Sequence, residues 1–62
     1  MNKDRRDRLQ NIIEDLGLII EEEQQAYDNL PEAIQSSERG DAMQEQIDGM
    51  TDAKDTLETV SE

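Results

Sequence analysis

The second half of the chain carries a series of carboxylate side chains at intervals of three, four and seven residues. Such a spacing places side chains on one side of an α-helix, because each residue turns the helix by about 100°. Basic side chains hardly interrupt the series, although like charges four residues apart weaken an isolated helix. The series is interpreted either as a solvated helix face or as a row of carboxylates, spaced roughly like backbone phosphates, that binds a basic groove on another protein. Its members are Asp41, Glu45, Asp48, Asp52, Asp55 and Glu62.

Tyr27 and Arg39 are the other candidates for partner recognition. Tyr27 is the only aromatic residue, and we expect it to fill the space beneath a turn, with its hydroxyl bonded to backbone or to a carboxylate. Arg39 is nearly alone in an acidic region, and we expect it to pair with a nearby acid. Alternatively, the two side chains mark a recognition surface at the tip of the molecule. The acids within reach of Arg39 are Asp28, Glu32 and Glu38.

Residues that could support catalysis or bind a metal are scarce. The chain has no cysteine and no histidine, which removes thiolate ligands and the commonest general base. Glu21–Glu23 are three successive glutamates that point in different directions on a helix, without the alternating ligands and central glycine of a calcium loop. The serines and threonines have no histidine to activate them, and the isolated glycines form no phosphate-binding loop. We therefore predict no enzyme activity, no metal site and no cofactor.

Two amphipathic segments position these residues. Apolar residues recur at helical spacing in each, which predicts helix 1 over about residues 3–28 and helix 2 over about residues 37–60. Pro31 cannot continue a helix, but Pro31–Gln35 suits a short helical turn within a connection at 29–36. The chain is thus predicted to be all-α, a single domain over 1–62 folded as an antiparallel two-helix hairpin. The apolar faces are Leu9, Ile12, Ile13, Leu16, Ile19 and Ile20, and then Met43, Ile47, Met50, Ala53, Leu57 and Val60.

The hydrophobic core available to one copy is thin. The chain has 62 residues, of which 32% are hydrophobic, and a domain of this size is near the limit at which a single hydrophobic core can stabilise it. The isoleucine-rich face of helix 1 is also broader than one neighbouring helix would cover. We therefore predict a homodimer in which two hairpins form an antiparallel four-helix bundle.

Charge is distributed unevenly along the chain. The net charge is −11, which would repel nucleic acid and anionic lipid, so we expect neither as a direct partner and favour a basic protein surface. The first ten residues are the exception, with four basic side chains against two acidic ones. We expect Arg5, Arg6 and Arg8 to close the hairpin against acids near the end of helix 2; an anion-binding role is the alternative. The acids concerned are Asp55, Glu58 and Glu62.

The segment Glu22–Met43 contains the pattern AYDNLPE followed by SERG. This pattern resembles a family of short acidic helical proteins of bacteriophages and prophages that has no assigned activity. The resemblance implies a phage origin and one of the roles typical of small phage accessory proteins, foremost the inhibition of a host nucleic-acid-binding or defence protein, sometimes by imitating DNA.

Three functional hypotheses follow, all for a protein that we expect in the cytoplasm, since no apolar run is long enough for a membrane span; the phage origin implied by the resemblance would make this the cytoplasm of the host cell. In the first, the acidic face of helix 2 binds a basic host protein. In the second, the protein has a structural or assembly role and associates through its apolar helix faces. In the third, an oligomer gathers Arg39 and the N-terminal arginines to hold a small anionic ligand.

Overall fold

The computed structural model describes residues 1–61, and within that range all regular structure is helical. Helix α1 covers Lys3–Asp28, α2 covers Glu32–Gln35 and α3 covers Glu38–Ser61. The all-α prediction is confirmed. The two long helices pack against each other, and the short α2 packs against α3.

Local hydrogen bonds explain where α1 begins and ends. The side-chain oxygen of Asn2 accepts a hydrogen bond from the backbone N–H of Arg5 at 2.9 Å, which satisfies one of the free donors of the first turn. At the other end, the N–H of Asn29 still donates to Gln25 at 3.0 Å, and Pro31 follows with extended ψ of 144°. Proline has no N–H to donate, so the helix cannot pass this point.

The turn between α2 and α3 brings the backbones of these two helices close together. The hydroxyl of Ser37 donates to the carbonyl of Ile34 and lies 3.5 Å from the N–H of Gly40. Gly40 is buried, and a Cβ atom placed there would lie 2.2 Å from the carbonyl oxygen of Gln35. The backbones of α2 and α3 therefore meet at a point where only glycine fits.

The contact between α1 and α3 buries little. Ile13 and Ile47 are the only apolar residues of 1–61 that are fully shielded, at 2% and 4% exposure. Gly17 lets the stem of Lys54 approach, with the Lys54 Cε atom 3.2 Å from where a Cβ would stand. The remaining apolar contacts along this seam are half-buried, at Leu9, Leu16, Ile20, Met43, Met50 and Leu57.

One side of the pair of long helices stays open. Ile12 is 57% exposed, Ile19 47% and Val60 54%, although all three belong to the apolar faces expected from the sequence. The Cα atoms span 48 × 15 × 11 Å, so the molecule is long and only two helices wide. The core of one copy is as thin as the composition predicts.

Candidate functional site

The acidic series lies on the outer side of α3. Asp41, Glu45, Asp48, Asp52 and Asp55 are all exposed. At about 100° per residue they fall within one narrow stripe, on the side of α3 opposite the seam with α1. We call these five residues the acidic stripe; Glu62, the sixth acid of the sequence pattern, lies outside the described residues.

No ion pair within residues 1–61 involves the acidic stripe. The single ion pair of α3 in that range joins Lys54 Nζ to Glu58 Oε1 at 2.6 Å, off the stripe. The hydrogen bond that Lys54 donates to Glu58 raises the pKa of Lys54 above its ordinary value of 10.5; desolvation opposes this shift, and the charges of Glu58 and Asp55 add to it. The stripe thus presents its carboxylates to solvent, where they act as a concentrated negative surface.

Tyr27 and Arg39 do not form the contacts expected from the sequence. Tyr27 is half-buried, as a plug under the turn should be. Its backbone carbonyl accepts a hydrogen bond from Gln35 Nε2 at 2.9 Å, but its hydroxyl has no hydrogen-bond partner within residues 1–61. Arg39 is exposed and pairs with no acid in the same range. The expected Arg39 ion pair is absent there; an exposed pair of this kind gains too little free energy to fix a long side chain.

The N-terminal arginines pair locally rather than with α3. Arg8 contacts Asp4 at 3.3 Å, one turn away in α1, and Arg6 donates to the Met1 carbonyl at 3.2 Å. Within residues 1–61 no ion pair joins α1 to Asp55 or Glu58, so this part of the expected closure is wrong, and its part at Glu62 lies outside the described residues. Pairs within α1 form instead, because side chains one turn apart on the same helix are already neighbours, whereas a pair between helices must hold two long side chains in one geometry.

The open side of the molecule forms a shallow apolar groove that periodicity alone did not delimit. We call it the open face. The sequence indicated such a face, because the apolar face of helix 1 is broader than one neighbouring helix would cover. Its boundaries could not be predicted, because they depend on the rotation of α1 and α3 relative to each other. Its wider part is lined by Leu16, Ile19, Glu23, Gln46, Gly49, Met50 and Ala53. Near the start of α1 it continues along Met1, Arg5, Arg8, Leu9 and Ile12.

No group of three acidic side chains in the described part of the chain is arranged to hold a metal ion. No helix between residues 1 and 61 has the length and apolar character that crossing a bilayer requires. The two surfaces that stand out are the acidic stripe and the open face.

Comparison with known proteins gave no relative: no protein-family model, no curated protein and no solved structure matches the chain.

Proposed function

We propose that the protein is a small acidic binding module in which α1 and α3 form an antiparallel hairpin and two hairpins pair into a four-helix bundle. The positions at which α1 and α3 contact each other along their lengths support the antiparallel hairpin. Gly17 neighbours Lys54, and further along α1 Glu23 shares a groove with Gln46, which lies earlier in α3. As residue numbers rise in α1 they fall in α3, which is the relation that an antiparallel pair produces.

The exposure of the open face supports the homodimer. A compact monomer of this mass exposes about 4,100 Å², whereas one copy exposes 4709 Å². The excess of about 600 Å² approaches the area of about 800 Å² that each partner buries in a standard interface. A second copy seated on the open face would cover the exposed side chains of Ile12, Ile19 and Val60.

Two substitutions of equal exposure test the homodimer. Ile12 and Leu18 are each 57% exposed, but only Ile12 lies on the open face. Ile12→Asp should therefore dissociate the dimer, whereas Leu18→Asp should leave it intact. Sedimentation equilibrium at micromolar concentration measures both. A wild-type protein that is monomeric throughout that range would refute the dimer, and so would equal loss of association in the two variants.

The acidic stripe is the surface that we propose binds a partner. The observation that carries this proposal is that five exposed carboxylates share one side of α3 without a basic partner within residues 1–61. If stability of the helix were the only requirement, lysines would be expected among these carboxylates, because like charges four residues apart destabilise a helix. The chemistry that complements such a row is a basic protein surface, and a surface that binds nucleic acid has the required charge and spacing.

The resemblance of Glu22–Met43 to phage proteins supports a bacterial host as the source of that partner. The proposed role is to occupy the nucleic-acid-binding surface of a host or defence protein in the cytoplasm. Direct binding of nucleic acid or of anionic membranes is disfavoured by the net charge of −11.

A neutralised stripe and a matched control test this function. Asp48, Asp52 and Asp55 are changed together to Asn in one variant, and three exposed acids of α1 are changed to Gln in the other. Both variants lose the same charge, so only the position differs. The control positions are Glu14, Glu21 and Glu22.

The readout is retention of proteins from host lysate on each immobilised variant, followed by a salt wash and mass spectrometry. A DNA- or RNA-binding protein should be retained by the wild type and the control, released by salt, and lost with the α3 variant. Equal loss from both variants would show attraction by net charge alone and would refute a specific acidic stripe.

A second candidate function is assembly through the open face onto another component. The exposed Ile12 and Ile19 favour it, since exposed apolar patches of this kind mark interaction sites. Binding of this kind would resist salt and tolerate the Asp48, Asp52 and Asp55 variant, but would be lost with Ile12→Asp.

A further inference from the structure

We infer that the second copy lies on the open face with its long axis reversed, so that the connections of the two hairpins are at opposite ends of the bundle; this rests on the homodimer proposed above. The open face has different charges at its two ends. Arg5 and Arg8 line the end near the start of α1. Glu23 lines the other end, beside Gln46.

Two hairpins can meet on this face in two ways with twofold symmetry. If the connections share one end, α1 of one copy faces α3 of the other, and four arginines from Arg5 and Arg8 collect at the opposite end. The Glu23 side chains of both copies then lie near the connections, at the far end of the bundle from these arginines. If the connections are at opposite ends, each basic end lies over the acidic end of the other copy. Charge complementarity selects the second arrangement.

The spacing of residues along α1 fixes the register of this arrangement. Arg8 precedes Ile12 by one turn, and Glu23 follows Ile19 by one turn. A twofold axis midway between Asp15 and Leu16 therefore places Ile12 against Ile19 of the second copy and Arg8 against its Glu23. Such an isologous interface forms each contact twice.

The same axis locates the crossing point on α3. Because Gly17 is level with Lys54, an axis midway between Asp15 and Leu16 crosses the antiparallel α3 between Asp55 and Thr56. The two α3 helices therefore overlap only in their second halves.

Charge exchange between two variants tests the orientation. Arg8→Glu and Glu23→Arg each place like charges opposite one another at both ends, so each homodimer should dissociate about tenfold more readily. An equimolar mixture should form a heterodimer with wild-type affinity, because the two substituted positions then face each other with opposite charges. Sedimentation equilibrium at low salt measures these affinities. Arg6→Glu, with the same charge change off the open face, and Glu21→Arg are the matched controls, and neither should weaken association.

The outcomes separate the orientation from the dimer itself. A wild-type monomer would overturn both proposals. A dimer that is unchanged or tightened by Arg8→Glu would overturn the reversed orientation alone, since tightening is the result that arginines gathered at one end would give. A mixture with no heterodimer in excess of statistical pairing would also overturn it.

Discussion

Gly40 is the position at which one added methyl group should damage the fold most. It is buried in the first turn of α3, where α2 packs against that helix. A Cβ atom on Gly40 would stand 2.2 Å from the carbonyl oxygen of Gln35 and 2.6 Å from that of Ile34. Both obstacles are backbone atoms, so no side-chain rotation can relieve the overlap.

The magnitude follows from two opposing effects. Alanine is favoured over glycine within a helix by about 1 kcal/mol. Non-bonded atoms attract best at about 3.5 Å or more, so α2 would have to move away by about 1 Å. Overpacking of this kind costs about 1–3 kcal/mol and more where backbone must move. We expect Gly40→Ala to lower the free energy of unfolding by about 2 kcal/mol, which is a fall in melting temperature of about 10 °C for a domain of this size.

Gly17→Ala is the matched control. The added methyl group there would meet only Lys54 Cε, at 3.2 Å, on a flexible side chain that can swing away. This variant should be as stable as the wild type or slightly more stable. Urea unfolding followed by helical circular dichroism compares the three proteins at one fixed protein concentration, because the proposed dimer would contribute to stability. If Gly40→Ala is as stable as Gly17→Ala, the packing of α2 against α3 does not constrain the fold and the reasoning is wrong.

Three further predictions concern charge and capping. Added salt, or acidification towards about pH 5, should raise the melting temperature, because a net charge of −11 repels itself; an insensitive melting temperature would mean that the charge is compensated. Since Glu58 raises the pKa of Lys54 in the folded state, the pair stabilises below the ordinary pKa of lysine and this contribution is lost as pH rises through the folded value. Urea unfolding at about pH 9 and 11 should therefore show an alkaline loss that is smaller in Lys54→Met; equal losses would contradict it. Asn2→Ala removes the cap of α1 and should cost about 1 kcal/mol by urea unfolding, whereas an unchanged midpoint would show that the first turn is frayed.

The elements could be predicted from the sequence because local chemistry determines them. Asn2 caps α1, and Pro31 ends the pattern that α1 follows. The helical turn expected at Pro31–Gln35 is present as Glu32–Gln35, and α3 begins at Glu38, one residue after the start predicted for helix 2. Each of these features depends on residues within one or two turns of each other, which is the range over which sequence patterns are informative.

The contacts between elements were harder to predict. Long exposed side chains such as Arg8 and Arg39 have several acids within reach, and their ion pairs differ by too little free energy to be chosen from the sequence. Gly40 received no special role, because the approach of two backbones depends on the path of the turn rather than on residue type. Periodicity also could not divide the apolar faces between the seam and the open face, since that division depends on the relative rotation of α1 and α3.

The reversed dimer would also bring the two acidic stripes together. With α1 facing α1 and α3 facing α3, both stripes lie on one side of the bundle. Because the axis crosses α3 next to Asp55, the last residue of the stripe, the two stripes approach each other only at Asp55 and extend from there in opposite directions. Neighbouring helices are about 8–10 Å apart, which is close to the Debye length at physiological salt, so the repulsion at this junction is largely screened. A basic partner would then meet one continuous acidic surface of about twice the length. Ile12→Asp, which leaves every acid of the stripe in place, should therefore weaken binding to the retained host protein well beyond twofold, measured by titration at concentrations where the wild type is dimeric. Full affinity in a folded Ile12→Asp monomer would show that a single stripe suffices and that the dimer has another purpose.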